Sequence, residues 1–259
     1  MQFVNPLLKR KAFIWWNFPV SDYVRDRLLL GAVYGNGTDI DDDISAFISN
    51  PMEHAEASKI ALFSIADYAW NMDAYKSDAS WRRAVRYLMP GHAAALQVFA
   101  SHNSDLGGNE HDFRREESEQ IRPALERLLD AYCREGKREV AAASAVTEEC
   151  ERMIASADLL LASDENPALI KEISPWLIQF KLLGEYGREV LCMLAAQCDG
   201  KKTELEKAAS HAKALQVLMK KIDATYNQNG FQPGVKTGSC HLKPAFDRLY
   251  QEVVQRTGK

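Results

Sequence analysis

The chain has 259 residues, 46% of them hydrophobic, and its 32 basic and 36 acidic side chains give a formal net charge of −4. This length and composition allow a substantial buried core, which predicts a globular protein of one large or two modest domains. The near-balance of charge offers no broad attraction for nucleic acid or for an anionic membrane, so neither is predicted as a partner. No segment approaches the roughly 20 apolar residues of a membrane-spanning helix.

The N-terminus and the cysteines carry little functional information. Basic residues follow the short apolar stretch at the N-terminus instead of preceding it, so no secretory signal is predicted in this chain. The five cysteines are odd in number and show no CxxC or Cys/His ligand spacing. We therefore expect no disulfide framework, no metal site and no cofactor, and free, mostly buried thiols at Cys133, Cys150, Cys192, Cys198 and Cys240.

Strand and loop signals dominate the first 72 residues. The aromatic and β-branched run at residues 13–17 is typical of a buried strand, which Pro19 ends. A loop rich in Gly and Asp follows, and residues 46–49 form a second strand candidate. Two strands cannot close a barrel, and a lone pair is marginal in water.

A helix is predicted directly after the second strand, over residues 52–70. Asn50 is its predicted N-cap, and Pro51 occupies its first position. The apolar face of this helix should consist of Ala55, Ile60, Ala61, Phe63, Ile65 and Ala66.

Beyond residue 75 the pattern is helical almost throughout, which predicts a mainly α protein. Gly107-Gly108, Gly136, Asn166-Pro167, Gly200 and the Gly/Pro-rich loop at residues 229–238 separate the helices. Helices are predicted over residues 77–88, 92–102, 116–135, 141–164, 167–198, 201–226 and 242–256, with a possible break at 172–175. Short connections favour antiparallel packing in a bundle. The predicted core includes Leu159, Leu160, Ile170, Ile173, Trp176, Ile178, Leu182 and Leu183.

Four residues near the two strands could form a sugar site. Trp15 and Asn17 are two residues apart and therefore project from the same side of a strand, Asn17 at its carboxyl end. Asn50 has the same relation to the second strand, and Asp22 lies in the loop after the first. An aromatic wall, two amides and a carboxylate suit a sugar. The structural alternative is that Trp15 is core, Asn17 and Asp22 make turn hydrogen bonds, and Asn50 is only a helix cap.

Three other polar groups are better explained by structure than by chemistry. Glu53 and His54 lack an H-E-x-x-H spacing, so helix-end hydrogen bonds are expected instead of a metal site. The polar loop at residues 102–107 should satisfy backbone donors at a helix junction. Ion pairs at the surface or between helices are expected for Arg114, Arg115, Glu116 and Glu117.

Several longer motifs resemble one family. They are WWNFPVSDY at residues 15–23, NPMEHAE at 50–56, SKIA at 58–61, HNSDLG at 102–107, RREES at 114–118 and QPGVKT at 232–237. Together they resemble the β-N-acetylglucosaminidases of glycoside hydrolase family 84, which include the O-GlcNAcases, and most of all the gut Bacteroides type. The motifs extend over nearly the whole chain.

The resemblance implies a fold and a reaction. In this family a (β/α)8 catalytic barrel precedes a helical domain, so the expected fold is a helical bundle preceded by the last two β/α units of an incomplete barrel. Residues 1–72 would be the barrel remnant and residues 73–259 the post-catalytic helical domain. The family removes terminal β-linked N-acetylglucosamine with retention, and the substrate's own acetamido oxygen attacks the anomeric carbon. One Asp orients the acetamido group, and the adjacent Asp is the general acid and then the general base.

The resemblance also assigns roles. Trp15 would flank the acetamido group, while Asn17, Asp22 and Asn50 would hold sugar hydroxyls. The family's adjacent Asp pair lies upstream of the Trp-Trp-Asn stretch, so the chain should not hydrolyse glycosides alone. Asp41 to Asp43 are expected to form a solvated turn instead of replacing that pair.

Three functions remain open at this stage. The first is a hydrolase fragment that binds N-acetylglucosamine-containing glycoconjugates through the intact enzyme, whose location would be periplasmic or secreted. The second is a non-catalytic helical module for interaction or assembly, including a homodimer, which an exposed apolar patch on the bundle would favour. The third is a chain whose activity is restored by an upstream barrel fragment.

Overall fold

The computed structural model describes Met1, residues 3–104 and residues 115–257. Three of the sequence predictions lie partly or wholly outside the described residues. They are the end of the 102–107 loop, the Gly107-Gly108 break and the ion pair of Arg114. The elements in chain order are α1 (Val4–Leu8), β1 (Ala12–Trp16), a 3-10 turn (Asp41–Asp43), β2 (Ile44–Ser49), α2 (Ala55–Trp70), α3 (Ser77–Leu88), α4 (Ala93–Ser101), α5 (Arg122–Glu135), α6 (Val140–Leu161), α7 (Pro167–Cys198), α8 (Lys202–Thr225) and α9 (Leu242–Thr257).

The two strands form a parallel pair that is covered on one face only. Trp16 and Phe47 turn toward α2 and pack edge to face with their ring centroids 5.5 Å apart, and Tyr68 of α2 closes the cluster. On the opposite face Phe13 is 61% exposed and Trp15 is 68% exposed. The prediction of a buried strand is therefore wrong for this second face, where no described residue buries Phe13 or Trp15.

Helix α7 is the centre of the bundle and packs against α6, α8, α9 and the start of α2. The break predicted near residue 175 is wrong, since α7 runs unbroken through Pro175. Ile173 and Trp176 on either side of the proline are buried. Their packing keeps the helix continuous although Pro175, which has no backbone N–H, cannot donate the usual helical hydrogen bond. In α6, Leu160 is buried as predicted, but Leu159 faces solvent.

Helix α2 begins later than the sequence predicts, at Ala55 instead of residue 52. A backbone donor in its first turn is paired with a residue far away in the sequence, since the Ala57 backbone N–H donates to the Glu172 carboxylate of α7 at 2.7 Å. Asn50 is consequently not the N-cap of this helix. Ala55 and Ala66, placed on its apolar face by the sequence, are exposed.

Helix α5 also begins later, at Arg122 instead of residue 116. Ser118 has a positive φ of 60°, which a regular helix does not allow, and Pro123 lies in the first turn. The short helix α1 was not predicted. No helix in the described part of the chain is both long and apolar enough to span a membrane.

The five cysteines all lie within the described residues and are free, as expected. Only Cys150 is buried, whereas Cys192 and Cys198 are exposed, so the prediction of mostly buried thiols is wrong. The two exposed cysteines occupy solvent-facing positions near the C-terminal end of α7.

Candidate functional site

The carboxyl ends of the two parallel strands bring three of the four predicted site residues together. Trp15 donates its Nε1–H to Oδ1 of Asn17 at 2.8 Å, and the Nδ2 of Asn50 donates to the same oxygen at 3.3 Å. The Asn50 backbone N–H donates to the Trp16 carbonyl at 3.0 Å and so extends the strand ladder by one residue. Two converging donors fix which end of the Asn17 amide is the oxygen.

The fourth residue, Asp22, shares a shallow pocket with Asn50. This pocket has a volume of about 330 Å³, and buried Val20 and Met52 form its apolar side. Asp22 is exposed at its rim, where the chain turns and the Val24 N–H bonds to the Ser21 carbonyl. Asn50 therefore connects the Asp22 pocket to the Trp15–Asn17 pair.

The purely structural explanation is wrong for two of these residues. Trp15 is not a core residue, since its ring is largely exposed on the uncovered face of the sheet. Asn50 does not cap α2, because Glu172 takes that role. Both side chains are instead held at the end of a parallel sheet, where α/β proteins ordinarily bind ligands.

The loop that carries Asp22 is held by the helical part of the molecule. Trp176 of α7 donates its Nε1–H to the Asp26 carbonyl at 3.0 Å, and the Lys236 backbone N–H donates to the same oxygen at 2.8 Å. Gln232 accepts from the Arg25 N–H at 2.9 Å, and Asn227 donates to the Arg25 carbonyl at 2.7 Å.

These supporting residues were not identified from the sequence. The Gly/Pro-rich loop that contains them was predicted only as a break between helices, although it includes the QPGVKT motif. The density of amide side chains in this loop was the one available signal, since amides commonly bond to backbone groups. The strand-end residues and their support thus come from chain segments about 200 residues apart.

The acidic run Asp41–Asp43 lies at the wrong end of the sheet to join this site. It forms a 3-10 turn directly before β2, while Asn50 follows the last residue of that strand. A six-residue strand separates the two ends by roughly 20 Å. Asp41 and Asp42 are exposed, which agrees with the predicted solvated turn.

His54 packs against α7 of the helical bundle. Its ring meets Trp176 edge to face with centroids 4.9 Å apart, and burial lowers the pKa of its imidazole against the opposing pull of Glu172 and Glu53. Glu53 forms a 3.9 Å ion pair with Arg25. Among the residues that the structure describes, no three His, Cys, Asp or Glu side chains are grouped to hold a metal ion.

His102 lies in a buried polar network that serves the junction between helices. Its Nε2 is 2.7 Å from the Glu149 carboxylate, and its Nδ1 is 2.8 Å from the Ser118 hydroxyl. The neighbouring Asn103 side chain donates to the Phe99 carbonyl, so it satisfies a backbone acceptor and not the donor that we expected. These bonds join α4, the segment before α5, and α6.

The predicted ion pairs of the next segment are only partly observed. Arg115 pairs with Asp78 and Glu119, and Glu116 pairs with Arg122. Glu117 is not in an ion pair at the surface, because it is buried and accepts a hydrogen bond from the Cys240 backbone N–H. Burial raises the pKa of Glu117 to about 7, against the opposing effects of that bond and of Arg27.

Two family models match the chain. The model described as bacterial GH84, post-catalytic domain, matches residues 117–250, and the model described as beta-N-acetylglucosaminidase matches residues 1–101. The protein O-GlcNAcases of Rattus norvegicus and Mus musculus are each 32% identical over 76 residues, which are 29% of this chain and 8% of those proteins.

Solved structures show the same fold over nearly the whole chain. CpGH84D superposes with a TM-score of 0.84 and 27% identity over 98% of this chain and 42% of its own. CpGH84B gives a TM-score of 0.83 with 24% identity, over 96% of this chain and 41% of its own. A mutant of the Thermobaculum terrenum O-GlcNAc hydrolase gives 0.73 with 20% identity, over 99% and 51%. The chain thus spans about half or less of these structures, and the predicted fold class is confirmed.

Proposed function

This chain belongs to the family of bacterial GH84 post-catalytic domains, and on that premise we propose that it forms part of the N-acetylglucosamine pocket of a retaining β-N-acetylglucosaminidase. The observation that supports this proposal is the bonded group of Trp15, Asn17 and Asn50 beside the Asp22 pocket. Within this proposal, residues 1–72 belong to the catalytic barrel and residues 73–259 to the helical domain that supports it.

Each side chain has a role that suits its chemistry. The exposed indole of Trp15 offers an apolar wall to the acetamido group. Asp22 accepts hydrogen bonds from sugar hydroxyls, and the two asparagines can both donate and accept them. Pairing hydroxyls with fixed partners orients the ring so that the substrate's acetamido oxygen can attack its own anomeric carbon.

We propose that the Asp pair for this substrate-assisted reaction comes from barrel strands outside these 259 residues. The run Asp41–Asp43 does not suit the role, since it lies at the amino end of β2. The uncovered face of the sheet supports the same proposal. Phe13, Trp15, Ala46 and Ile48 are exposed there, whereas parallel sheets are ordinarily covered on both faces.

Hydrolysis of a fluorogenic β-N-acetylglucosaminide tests this proposal. We expect no turnover by the chain alone, and turnover when a separately produced polypeptide with the preceding barrel strands is added. In that mixture Asp22→Ala or Asn50→Ala should lower kcat/KM roughly 10- to 100-fold, because each removes a hydrogen bond to the sugar. Asp42→Ala, at the other end of the strand, is the matched control and should have no effect.

Two outcomes would contradict the proposal. One is turnover by the chain alone that survives Asp22→Ala and is abolished by substitution of Asp41–Asp43. The other is a mixture that assembles, as sedimentation would show, and yet remains inactive.

A helical assembly module is the second candidate function, and one feature of α8 favours it. Val217 and Leu218 are exposed there, beside an apolar groove of about 380 Å³ between α7 and α8. The groove is lined mainly by Ile178, Leu182, Leu218, Ile222 and Tyr226. A second copy of the chain could cover this surface as a homodimer.

Sedimentation equilibrium tests the second candidate. A dimer that Leu218→Glu converts to monomer, and that Glu206→Lys on an exposed position of the same helix leaves intact, would support it. A monomer at all concentrations, up to about millimolar, would exclude it.

A further inference from the structure

Side chains of the helical domain hold the Asp22 loop at Arg25, a residue that itself lines the Asp22 pocket. Gln232 accepts from the Arg25 backbone N–H at 2.9 Å, and Asn227 donates to the Arg25 carbonyl at 2.7 Å. Asn227 also donates to the Gly234 carbonyl, which fixes its amide within the loop before α9. Both backbone polar groups of Arg25 are therefore paired with one segment that lies far away in the sequence.

The next residue, Asp26, is held through both its backbone and its side chain. Its carbonyl accepts from the Trp176 Nε1–H at 3.0 Å and from the Lys236 backbone N–H at 2.8 Å. Its carboxylate pairs with the Lys236 ammonium group at 2.5 Å, and Asp26 is only 6% exposed. The helical domain thus fixes two successive residues of the loop.

These contacts shorten the part of the loop that can move around Asp22. Ser21 is 2% exposed and Leu28 is 1% exposed, and residues 22–27 connect these two buried positions. Asp22 is the first residue of this connection, and its side chain is exposed. With Arg25 held, Asp22 is only three residues from a fixed point, and a short segment has fewer conformations than a long one.

One side chain, Trp176, contacts the segments behind both walls of the Asp22 pocket. One wall comes from the loop after β1 and the other from residues 50–53 after β2. Besides its bond to the Asp26 carbonyl, the indole meets the His54 ring edge to face, with centroids 4.9 Å apart. Because Trp176 is 2% exposed and packed in the core, it holds the two walls at a fixed separation.

The binding of a sugar in this pocket would depend on that separation. A hydrogen bond between a carboxylate and a hydroxyl needs an O···O distance of about 2.5–3.0 Å, so a carboxylate displaced by about 1 Å loses most of its bond. A side chain that is already in place also avoids the entropy cost of ordering a loop when the ligand binds. Residues that do not touch the sugar can therefore determine how tightly it is bound.

We infer that Gln232 and Trp176 of the helical domain are positioning residues for the sugar. They act by holding the Asp22 carboxylate at a set distance from Asn50. The inference rests on the proposed function, because Asp22 has a ligand to hold only if its pocket belongs to the sugar site. It extends that function by making the affinity for the sugar depend on two segments of the helical domain.

A double-mutant cycle separates positioning from a general effect on the fold. The assay is hydrolysis of the fluorogenic β-N-acetylglucosaminide by this chain mixed with the barrel polypeptide. Gln232→Leu removes the acceptor of the Arg25 N–H and should lower kcat/KM roughly 3- to 10-fold. In an Asp22→Ala background the same change should lower kcat/KM less than about 2-fold, because no carboxylate is left to position.

Two variants serve as references for Gln232→Leu. Gln232→Glu keeps an acceptor for the Arg25 N–H, so its kcat/KM should stay within about 2-fold of the unmodified value. Gln255→Leu is the same chemical change at an exposed position of α9, and it should have no effect.

Trp176→Phe tests the second positioning residue. It keeps an aromatic ring against His54 and removes the donor to the Asp26 carbonyl, which retains its bond from the Lys236 N–H. We therefore expect a smaller loss of kcat/KM, roughly 2- to 5-fold, that again disappears in the Asp22→Ala background.

Amide hydrogen exchange tests the contact in the chain alone. In Gln232→Leu the Arg25 N–H should exchange roughly 3- to 10-fold faster, while the centre of α7 keeps its protection. Gln232→Glu should leave the exchange of Arg25 unchanged. An unchanged rate at Arg25 in Gln232→Leu would overturn the inference without any measurement of activity.

The activity measurements distinguish failure of this inference from failure of the proposed function. Equal losses from Gln232→Leu with and without the Asp22 carboxylate would overturn the inference, and so would an active mixture in which this variant has no effect. An inactive mixture of the unmodified chain, or one in which Asp22→Ala has no effect, would contradict the proposed function and the inference with it.

Discussion

The helical bundle and the two-stranded sheet differ in how far they bury their apolar side chains. In the bundle, α7 has neighbours on every side, and its aromatic residues Trp176, Phe180 and Tyr186 are almost fully buried. In the sheet, α2 covers one face while Phe13 and Trp15 remain exposed on the other. The helices therefore share one buried core, which also includes Leu28–Leu30 from the loop after β1, whereas the sheet leaves one face uncovered among the described residues.

Replacing a phenylalanine by alanine in the bundle and in the sheet should give the largest difference in the free energy of unfolding. Phe180 is fully buried and packs edge to face on Phe99, with ring centroids 5.3 Å apart. Phe180→Ala should lower the free energy of unfolding by about 3–5 kcal/mol, because a large cavity remains. Phe13→Ala should change it by less than about 0.5 kcal/mol, because little burial is lost.

Urea denaturation of the two variants and the unmodified chain gives both values. Similar losses at the two positions would contradict the comparison, since they would mean that the second face of the sheet is covered in solution. A loss at Phe13 that depends on protein concentration would point to a second copy as the cover.

The bundle could be predicted well because its signals are local. The Asn166-Pro167 pair predicted the start of α7, and Asn166 does accept from the Leu169 backbone N–H. Of the eight core residues predicted for α6 and α7, five are buried: Leu160, Ile170, Ile173, Trp176 and Leu183. The strand-end residues Trp15 and Asn17 were placed together by the two-residue period of a strand.

The remaining features depend on contacts between distant segments. The cap of α2 was assigned to Asn50 because no local signal shows that Glu172 arrives from 115 residues away. The burial of Glu117 was missed for the same reason, since it is decided by packing around Cys240 and Arg27. Local sequence patterns predict which groups are available, and tertiary packing selects among them.

The burial of Glu117 in the helical part should also affect the pH dependence of stability. Burial raises the pKa of Glu117 to about 7 from an ordinary value of 4.5, so the folded state holds this proton more tightly than the unfolded state. The free energy of unfolding should therefore fall as pH rises from 4.5 to 7, by ~3 kcal/mol in total. Below pH 4.5 the penalty for burying the charge is absent, and above pH 7 it is complete.

Glu117→Gln isolates this contribution. The neutral amide keeps an acceptor for the Cys240 N–H, so unfolding measured between pH 4 and 8 should lose most of this slope. Glu119→Gln, at an exposed position that pairs with Arg115, should leave the slope unchanged. A Glu117→Gln variant with the original pH dependence would show that the carboxylate is solvated in solution.

The smallest effect is expected where the two parts meet, at the start of α2. Glu172 of α7 accepts from the Ala57 backbone N–H at 2.7 Å, and α2 in turn covers the sheet. Glu172→Ala should cost about 1 kcal/mol, the usual effect of losing a helix cap, because the first turn loses an acceptor and its backbone remains partly solvated. Glu185→Ala, at a part-exposed position of the same helix, controls for the loss of a carboxylate and should cost less than about 0.5 kcal/mol.

Amide hydrogen exchange separates a local effect of Glu172→Ala from a global one: exchange should accelerate at Ala57 and the neighbouring first turn, while the centre of α7 keeps its protection. Equal acceleration in both places would mean that the sheet and the bundle unfold as one unit, and the contrast between them would then be one of surface only and not of stability.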